Sequence, residues 1–209
     1  MTIKATAKDG SGKYASLKLT ITKPVYEISF DENRDVLAGG KSLTLKPAIL
    51  AADGKKPSNS AVTWSITGDT AYVSSFKNGT LKAKKVTEYK EVTVTATAKD
   101  GSGVSGSWTV GIYPATTSVQ ILDDLGAEVG SRTLYMRVGD VMALDAVSYP
   151  NSSTIRAAQA WTWSASSKTC VSVTEDGVVE ALKAGTVTIK ATAKDGTGKY
   201  DTVKIKILN

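Results

Sequence analysis

Residues 188–200 read TIKATAKDGTGKY and residues 2–14 read TIKATAKDGSGKY, so the two stretches differ only at Thr197 and Ser11. In each stretch apolar and polar residues alternate up to an Asp-Gly pair, which is the period-2 pattern of a half-buried strand. Asp-Gly followed by a second glycine tolerates the positive φ angles of a tight turn. Another alternating stretch, Val203–Ile207, follows the later copy. The pattern therefore predicts a β-hairpin at both ends of the sequence.

The Asp-Gly turn marks a repeat that runs through the chain. Within the longer sequence AKDG it occurs at residues 9–10, 100–101 and 195–196, which is a spacing of roughly 90 residues. Two further landmarks keep this spacing: VTWS and WTWS (62–65 and 161–164), and NGTLKA and DGVVEA (78–83 and 176–181). Many short strands divided by Gly, Asn and Asp, with no long helical period, predict an all-β fold of tandem antiparallel β-sandwiches.

These landmarks resemble the bacterial immunoglobulin-like domains of group 2. The marks are the VTWS stretch, the run DGVVEALKAGTVTI at 176–189, and the closing ATAKDG hairpin. The resemblance implies immunoglobulin-like domains at 25–114 and 115–209. It also implies that residues 1–24 are the C-terminal hairpin of a truncated preceding repeat. The segment 84–90 is longer than its counterpart in the last repeat, so its shape is not copied from the family.

Composition excludes several classes of active site. The chain has no histidine and one cysteine, Cys170, so it cannot build Ser-His-Asp or Cys-His pairs, histidine zinc sites or an internal disulfide. No apolar run approaches the ~20 residues that span a bilayer, and no secretory signal begins the sequence. We expect no enzyme activity and no cofactor, catalytic residue or cofactor-binding residue.

The tryptophans are expected to be core residues. Trp64 and Trp163 hold the same place in the repeat, and Trp161 lies two residues before Trp163 and therefore shares its face. Trp108 aligns with Val203, an inward position of the closing strand. A sugar-binding platform would need these rings exposed on one face of the sheet. The alternation of apolar and polar residues instead predicts that all four rings point inward.

The tyrosines are the better candidates for ligand contact. Tyr14 and Tyr200 follow the hairpin turns, Tyr135 alternates with apolar neighbours, and Tyr89 lies in the longer loop. The alternative for each is a ring that packs on the sheet with its hydroxyl in water.

No metal site is predicted, although two acidic clusters leave a cation near the domain junctions open as an alternative. The clusters are Asp31, Glu32 and Asp35, and Asp123, Asp124 and Glu128. Solvated loops are the simpler interpretation, because calcium draws on 6–8 oxygens.

Cys170 is expected to pack as a small hydrophobe. Glycosylation-type patterns occur at 78–80 and 151–153, and they match by chance too often to indicate a site.

The resemblance implies a structural spacer or stalk module of a bacterial cell-surface or secreted adhesion-type protein. Its partners would be other domains of the parent protein. Two alternatives stay open: a module that binds cell-wall or host glycans or proteins, and accessory domains of a secreted polysaccharide-degrading enzyme. The lysines are dispersed, so no nucleic acid partner is expected. The lack of a long apolar run predicts no membrane span.

The hairpin at 2–23 carries the apolar residues Ile3, Leu17, Leu19 and Ile21 without a sandwich of its own. A two-stranded hairpin alone is marginally stable. We therefore expect it to associate with a neighbouring molecule's sheet edge, with a swapped partner, or with the adjacent domain.

Overall fold

The computed structural model describes residues 1–150 and 157–209. Within these ranges the chain is built almost entirely of β-strands, with one short 3₁₀ turn at Thr70–Tyr72 and no α-helix. None of the described segments is therefore a helix suited to crossing a membrane. The glycosylation-type pattern at 151–153 lies outside the described residues. The all-β prediction is confirmed.

The strands fall into a hairpin and two sets. The hairpin is formed by β1 (Thr2–Thr6) and β2 (Tyr14–Lys18). The first set comprises β3 (Glu27–Ser29), β4 (Val36–Ala38), β5 (Ser42–Thr44), β6 (Ala48–Leu50), β7 (Val62–Gly68), β8 (Val73–Lys77), β9 (Thr80–Ala83), β10 (Lys90–Ala98) and β11 (Ser105–Tyr113). The second set comprises β12 (Thr116–Leu122), β13 (Thr133–Arg137), β14 (Val141–Ala143), β15 (Asp145–Pro150), β16 (Trp161–Ala165), β17 (Val171–Val173), β18 (Val178–Ala181), β19 (Gly185–Ala193) and β20 (Tyr200–Leu208).

The two sets repeat one topology. In the second set the strand orders are β13-β20-β19-β16, β14-β18-β17 and β12-β15; in the first they are β4-β11-β10-β7, β5-β9-β8 and β3-β6. One edge pair in each set, β4 with β11 and β13 with β20, is parallel. The other pairs of the second set are antiparallel. The predicted tandem immunoglobulin-like sandwiches are confirmed, with a parallel edge that alternation alone does not reveal.

The chain divides into two compact units. The first comprises Met1–Phe30, Pro47–Thr63 and Thr95–Ser107. The second comprises Asp31–Lys46, Trp64–Val94 and Trp108–Asn209, and so contains all of β12–β20 together with several strands of the first set.

Alternation fixes the core of the second unit. Along β19, Val187, Ile189, Ala191 and Ala193 are buried while the residues between them are half-buried. In β20 the buried residues likewise alternate with more exposed ones. These two strands pack with Ile121, Met136, Leu144 and Val179 into one apolar cluster. Burial of such side chains is the main favourable contribution to folding.

The hairpin β1–β2 is exposed along its whole length. Its register pairs Thr2 with Lys18 and Thr6 with Tyr14, and every residue from 1 to 24 is exposed. Leu17 and Ile21 keep 63% and 81% of their surface in solvent. The expectation that the hairpin packs on the adjacent domain is therefore wrong, because neither of its faces is covered by the described residues. Association with another molecule stays a prediction.

The turn between β17 and β18 packs closely against the ring of Trp163. Gly177 has φ +82°, and a Cβ built there would meet the carbonyl oxygen of Leu144 and lie 2.9 Å from Cε2 of Trp163. Gly79 has the same relation to Leu45 and Trp64 in the first set. Only glycine suits both the backbone angle and the close approach of the indole.

We expect Gly177→Ala to destabilise the chain more than Gly126→Ala. Gly126 also has positive φ, +79°, but no atom lies within 4 Å of the position that a Cβ would take there. Gly126→Ala should thus cost only backbone strain, about 1 kcal/mol, and Gly177→Ala about 2 kcal/mol or more because a clash is added. Urea unfolding measures both. Equal losses would contradict the packing role of Gly177.

Candidate functional site

The aspartate of each repeated hairpin organises its own turn. One carboxylate oxygen of Asp9, Asp100 and Asp195 accepts a hydrogen bond from the backbone N–H two residues later, at 2.9, 3.0 and 2.9 Å respectively. This is the arrangement by which Asp side chains stabilise turns. Hydrogen bonding to Ser11 and to Ser102 lowers the pKa of Asp9 and of Asp100 respectively below the usual value.

Two of these aspartates also hold the beginning of their own strand set. The second oxygen of Asp100 accepts from the N–H of Val25 at 2.6 Å, and that of Asp195 accepts from the N–H of Thr116 at 3.1 Å. Asp195 is 1% exposed. In the described residues no such strand start bonds to Asp9. The carboxylate therefore ties the last hairpin of a set to its first residues.

The Asp195 hairpin also bonds to the region around β4. The carbonyl oxygen of Asp195 accepts from the N–H of Ala38 at 2.7 Å. Lys194 donates from Nζ to Oδ1 of Asn33 at 3.2 Å. All of these residues belong to the second unit. Residues from both repeats are thus joined by main-chain and side-chain bonds.

A cleft of about 540 Å³ lies in the second unit beside this hairpin. It is lined by Asp31, Asn33, Arg34, Val36, Leu43, Trp161, Thr162, Trp163, Val173, Thr174, Glu175 and Lys194. The loop that supplies Arg34 is held in place, because Trp108 donates from Nε1 to the carbonyl oxygen of Arg34 at 3.0 Å. The Arg34 guanidinium donates in turn to the carbonyl oxygen of Thr44 at 3.1 Å. The cleft combines two indoles with charged groups.

The four tryptophans predicted as core residues are half-buried. Trp161 and Trp163 pack against the apolar cluster of the second unit and also line the cleft. Trp64 packs edge-on against Phe76, with ring centroids 5.8 Å apart at 90°. The rings thus lie at the margin of the core.

The four tyrosines predicted as ligand contacts are exposed but do not form one patch. The Lys4 ammonium lies 3.9 Å from the ring centroid of Tyr14, and that of Lys190 lies 3.8 Å from Tyr200. Tyr135 is 63% exposed. Among the described residues none of the four rings contacts another of the four. Their role in binding stays a prediction.

Tyr89 is held by its neighbours. Its ring packs at 4.9 Å from that of Tyr113, and its hydroxyl donates to Oε2 of Glu91 at 2.6 Å. The hydrogen bond to Glu91, with smaller contributions from burial and nearby charge, raises the pKa of Tyr89 to about 12.

The acidic loops bind their own backbones. Asp31 accepts from the N–H of Asn33 at 3.0 Å, and Asp123 accepts from the N–H groups of Leu125 and Ala127. Within residues 1–150 and 157–209 no group of three or more acidic or cysteine side chains is arranged as a metal site. Cys170 is half-buried and packs against the apolar cluster.

The sequence did not reveal the residues that meet in the cleft. Arg34, Glu175 and Lys194 are far apart along the chain and lie in segments that alternation does not describe. The one usable signal was the conspicuous Trp161–Trp163 pair, which indicates a large aromatic surface but not that part of it borders a cleft.

The profile of the bacterial Ig-like domain, group 2, matches residues 24–107 and 127–203. The chain belongs to this family. The two matched regions follow the two strand sets and confirm the resemblance, whereas the boundaries expected at 24/25 and 114/115 stay predictions. An uncharacterized protein of Clostridium acetobutylicum is 31% identical over 182 residues, which are 87% of this chain and 17% of the relative.

Several solved structures align with the chain at low scores. A fragment of intimin in complex with its receptor domain aligns over 89% of this chain and 64% of its own length, at 20% identity and a TM-score of 0.34. The adhesin InvE of Yersinia pseudotuberculosis aligns over 90% of this chain and 61% of its own length, at 13% identity and a TM-score of 0.38. A surface-layer protein, SbsC, aligns over 99% of this chain and 31% of its own length, at 20% identity and a TM-score of 0.31. The family assignment rests on the profile and not on these alignments.

We expect Asp195→Ala to destabilise the chain and Asp9→Ala to leave its stability unchanged. Removal of the buried carboxylate leaves the N–H groups of Thr116 and Thr197 without acceptors, which should cost about 1–3 kcal/mol. Asp9 holds only its own exposed turn, so it is a matched control from an almost identical hairpin. The free energy of unfolding in urea measures both variants. Equal effects would contradict the role given to Asp195.

The Tyr89–Glu91 bond predicts a loss of stability at alkaline pH. The folded pKa of about 12 exceeds the usual value of 10.0. The contribution is therefore complete below about pH 10 and is lost as pH rises through about 12. Glu91→Gln should lower the pKa of Tyr89, measured from tyrosinate absorbance relative to Tyr89→Phe. Glu88→Gln is the control, because Glu88 binds Lys90; an equal shift in both variants would refute the assignment.

Proposed function

We propose that the chain is a non-catalytic spacer or stalk segment of an extracellular bacterial protein, either anchored at the cell surface or secreted and of the adhesion type. Its sandwiches would set the position of other domains of the parent protein. Because the chain spans 17% of the curated relative it matches, the parent protein's activity belongs to this proposal and not to the family assignment.

The observation that carries the proposal is the bonding around Asp195. A spacer transmits position only if successive repeats do not turn freely. The carbonyl oxygen of Asp195 binds the N–H of Ala38, while the Asp195 carboxylate binds its own repeat at Thr116 and Thr197. One buried residue therefore serves the internal closure of one repeat and its bond to the other.

The connecting segment supports the same interpretation. Tyr113 ends β11, and Thr116 begins β12 and is 2% exposed. The carbonyl oxygen of Tyr113 accepts from the N–H of Gly39 at 2.8 Å. Pro114 lacks a backbone donor and fixes its own φ, which limits freedom at this point. Such a short, bonded connection differs from a flexible Gly/Ser linker.

Backbone ¹⁵N relaxation tests the spacer. If the repeats are fixed, the amides of 31–46 and 64–94 should report the same rotational diffusion tensor as those of 127–203, because all three ranges lie in the second unit. A flexible tether would give separate and shorter correlation times, and that result would overturn the proposal. Insertion of Gly-Ser-Gly-Ser after Ala115 supplies the positive control, because it should separate the two sets of correlation times.

Location is tested in the bacterium that carries the gene. Antibodies against the purified chain should label intact cells or detect the protein in the culture medium. Labelling only after lysis would contradict an extracellular spacer.

A further inference from the structure

The two strand sets carry different side chains at one equivalent position next to the tryptophan that both repeats share, Trp64 in the first set and Trp163 in the second. In the first set Phe76 of β8 pairs with Leu81 of β9, and in the second Val173 of β17 pairs with Val179 of β18. Phe76 packs its ring edge-on against Trp64. Valine has no ring to occupy this volume, and in the second set Val173 and Trp163 both line the cleft. The cleft therefore borders the position at which the second set has a valine in place of the aromatic ring of the first set.

The indole rings of Trp161 and Trp163, which line the cleft, are held in place by the protein before any ligand binds. Gly177 lies close against Trp163, and Trp161 donates from Nε1 to Oγ of Ser148 at 2.9 Å. Within residues 1–150 and 157–209, Nε1 of Trp163 has no hydrogen-bond acceptor. A rigid aromatic ring with a spare donor binds a ligand at little cost in conformational entropy.

The charges around the cleft balance. Asp31 and Glu175 supply two carboxylates, and Arg34 and Lys194 supply two cations. Nε of Arg34 lies 3.7 Å from Oδ2 of Asp31, and Lys194 is bonded to Asn33. A lining with equal numbers of both charges favours a neutral ligand over an ion. Carboxylates accept and the cations donate hydrogen bonds, so the lining suits hydroxyl groups, which do both.

We propose that this cleft binds a saccharide of one or two pyranose units, with a flat C–H face of the sugar stacked on Trp163 and hydroxyls bonded to the charged residues. The volume of about 540 Å³ lies within the usual range of small-molecule sites, roughly 300–1,000 Å³. A gluco-configured β-linked disaccharide suits the cleft best, because its equatorial hydroxyls leave the axial C–H faces uninterrupted.

The test follows the four indole N–H signals of the whole chain by ¹H–¹⁵N NMR during titration with cellobiose. The signals of Trp163 and Trp161 should shift, with a Kd on the order of 1 mM because an open cleft contacts few ligand atoms. The Trp64 signal should stay in place, because the Phe76 ring packs against that indole. Sorbitol is the matched ligand control, since it has the hydroxyls of a hexose but no ring face, and it should cause no shift.

Two variants connect the binding to the cleft. Val173→Phe restores the aromatic residue of the first set and should weaken cellobiose binding by about tenfold or more, by filling the space. Glu175→Gln removes a charged acceptor from an exposed turn, where folding is unaffected, and should weaken binding several-fold. Glu180→Gln is its control, because Glu180 is exposed on β18 and bonds to Ser172 outside the cleft.

Three outcomes would overturn the proposal. One is the absence of any Trp163 shift at cellobiose concentrations far above the expected Kd. Another is equal binding by the wild type, Val173→Phe and Glu175→Gln, with Glu175→Gln folded as judged by its spectrum. The third is a Trp163 shift with a neutral peptide such as tetra-alanine but none with cellobiose, which would assign the cleft to polypeptide.

Discussion

The bond between a hairpin carboxylate and the beginning of its own strand set is the constraint on which the fold depends. Asp100 and Asp195 each use one oxygen to form a turn and the other to hold a residue from the opposite end of the sequence repeat. Backbone N–H groups at a strand start need an acceptor when they are buried. A single repeated turn thereby closes each sandwich, and in the second set its main chain also reaches Ala38.

Much of this architecture could be predicted from the sequence, because the physical signals are local. The alternation in 186–193 placed the buried side chains of β19 correctly, and the Asp-Gly pair located the turn between β19 and β20. Strand direction is not encoded in alternation, so the parallel edges β4 and β13 were not predicted. The exposed hairpin β1–β2 contradicted one of its three expected partners, the adjacent domain. An apolar pattern indicates that a face can be buried but does not supply the surface that buries it.

The cleft could not be predicted for a different reason. If NGTLKA is aligned with DGVVEA, Thr174 is the residue equivalent to Phe76. In the strand pairing the equivalent residue is Val173, because the turn between β17 and β18 contains one more residue than the turn between β8 and β9. The physical consequence of that extra residue is a change in which side chain faces Trp163. The other lining residues meet only after the chain has folded, and nothing in their own segments indicates that they converge.

The closure by aspartate also bears on how such a chain comes to be folded. The bonded groups are 75 residues apart for Val25 and Asp100, and 79 for Thr116 and Asp195. Contacts between distant residues form late, because the loop between them must first be closed. During synthesis from the N-terminus, a sandwich of this kind remains open until its final hairpin has emerged. Each repeat would then be completed as a unit, before the next one has enough sequence to compete with it for partners.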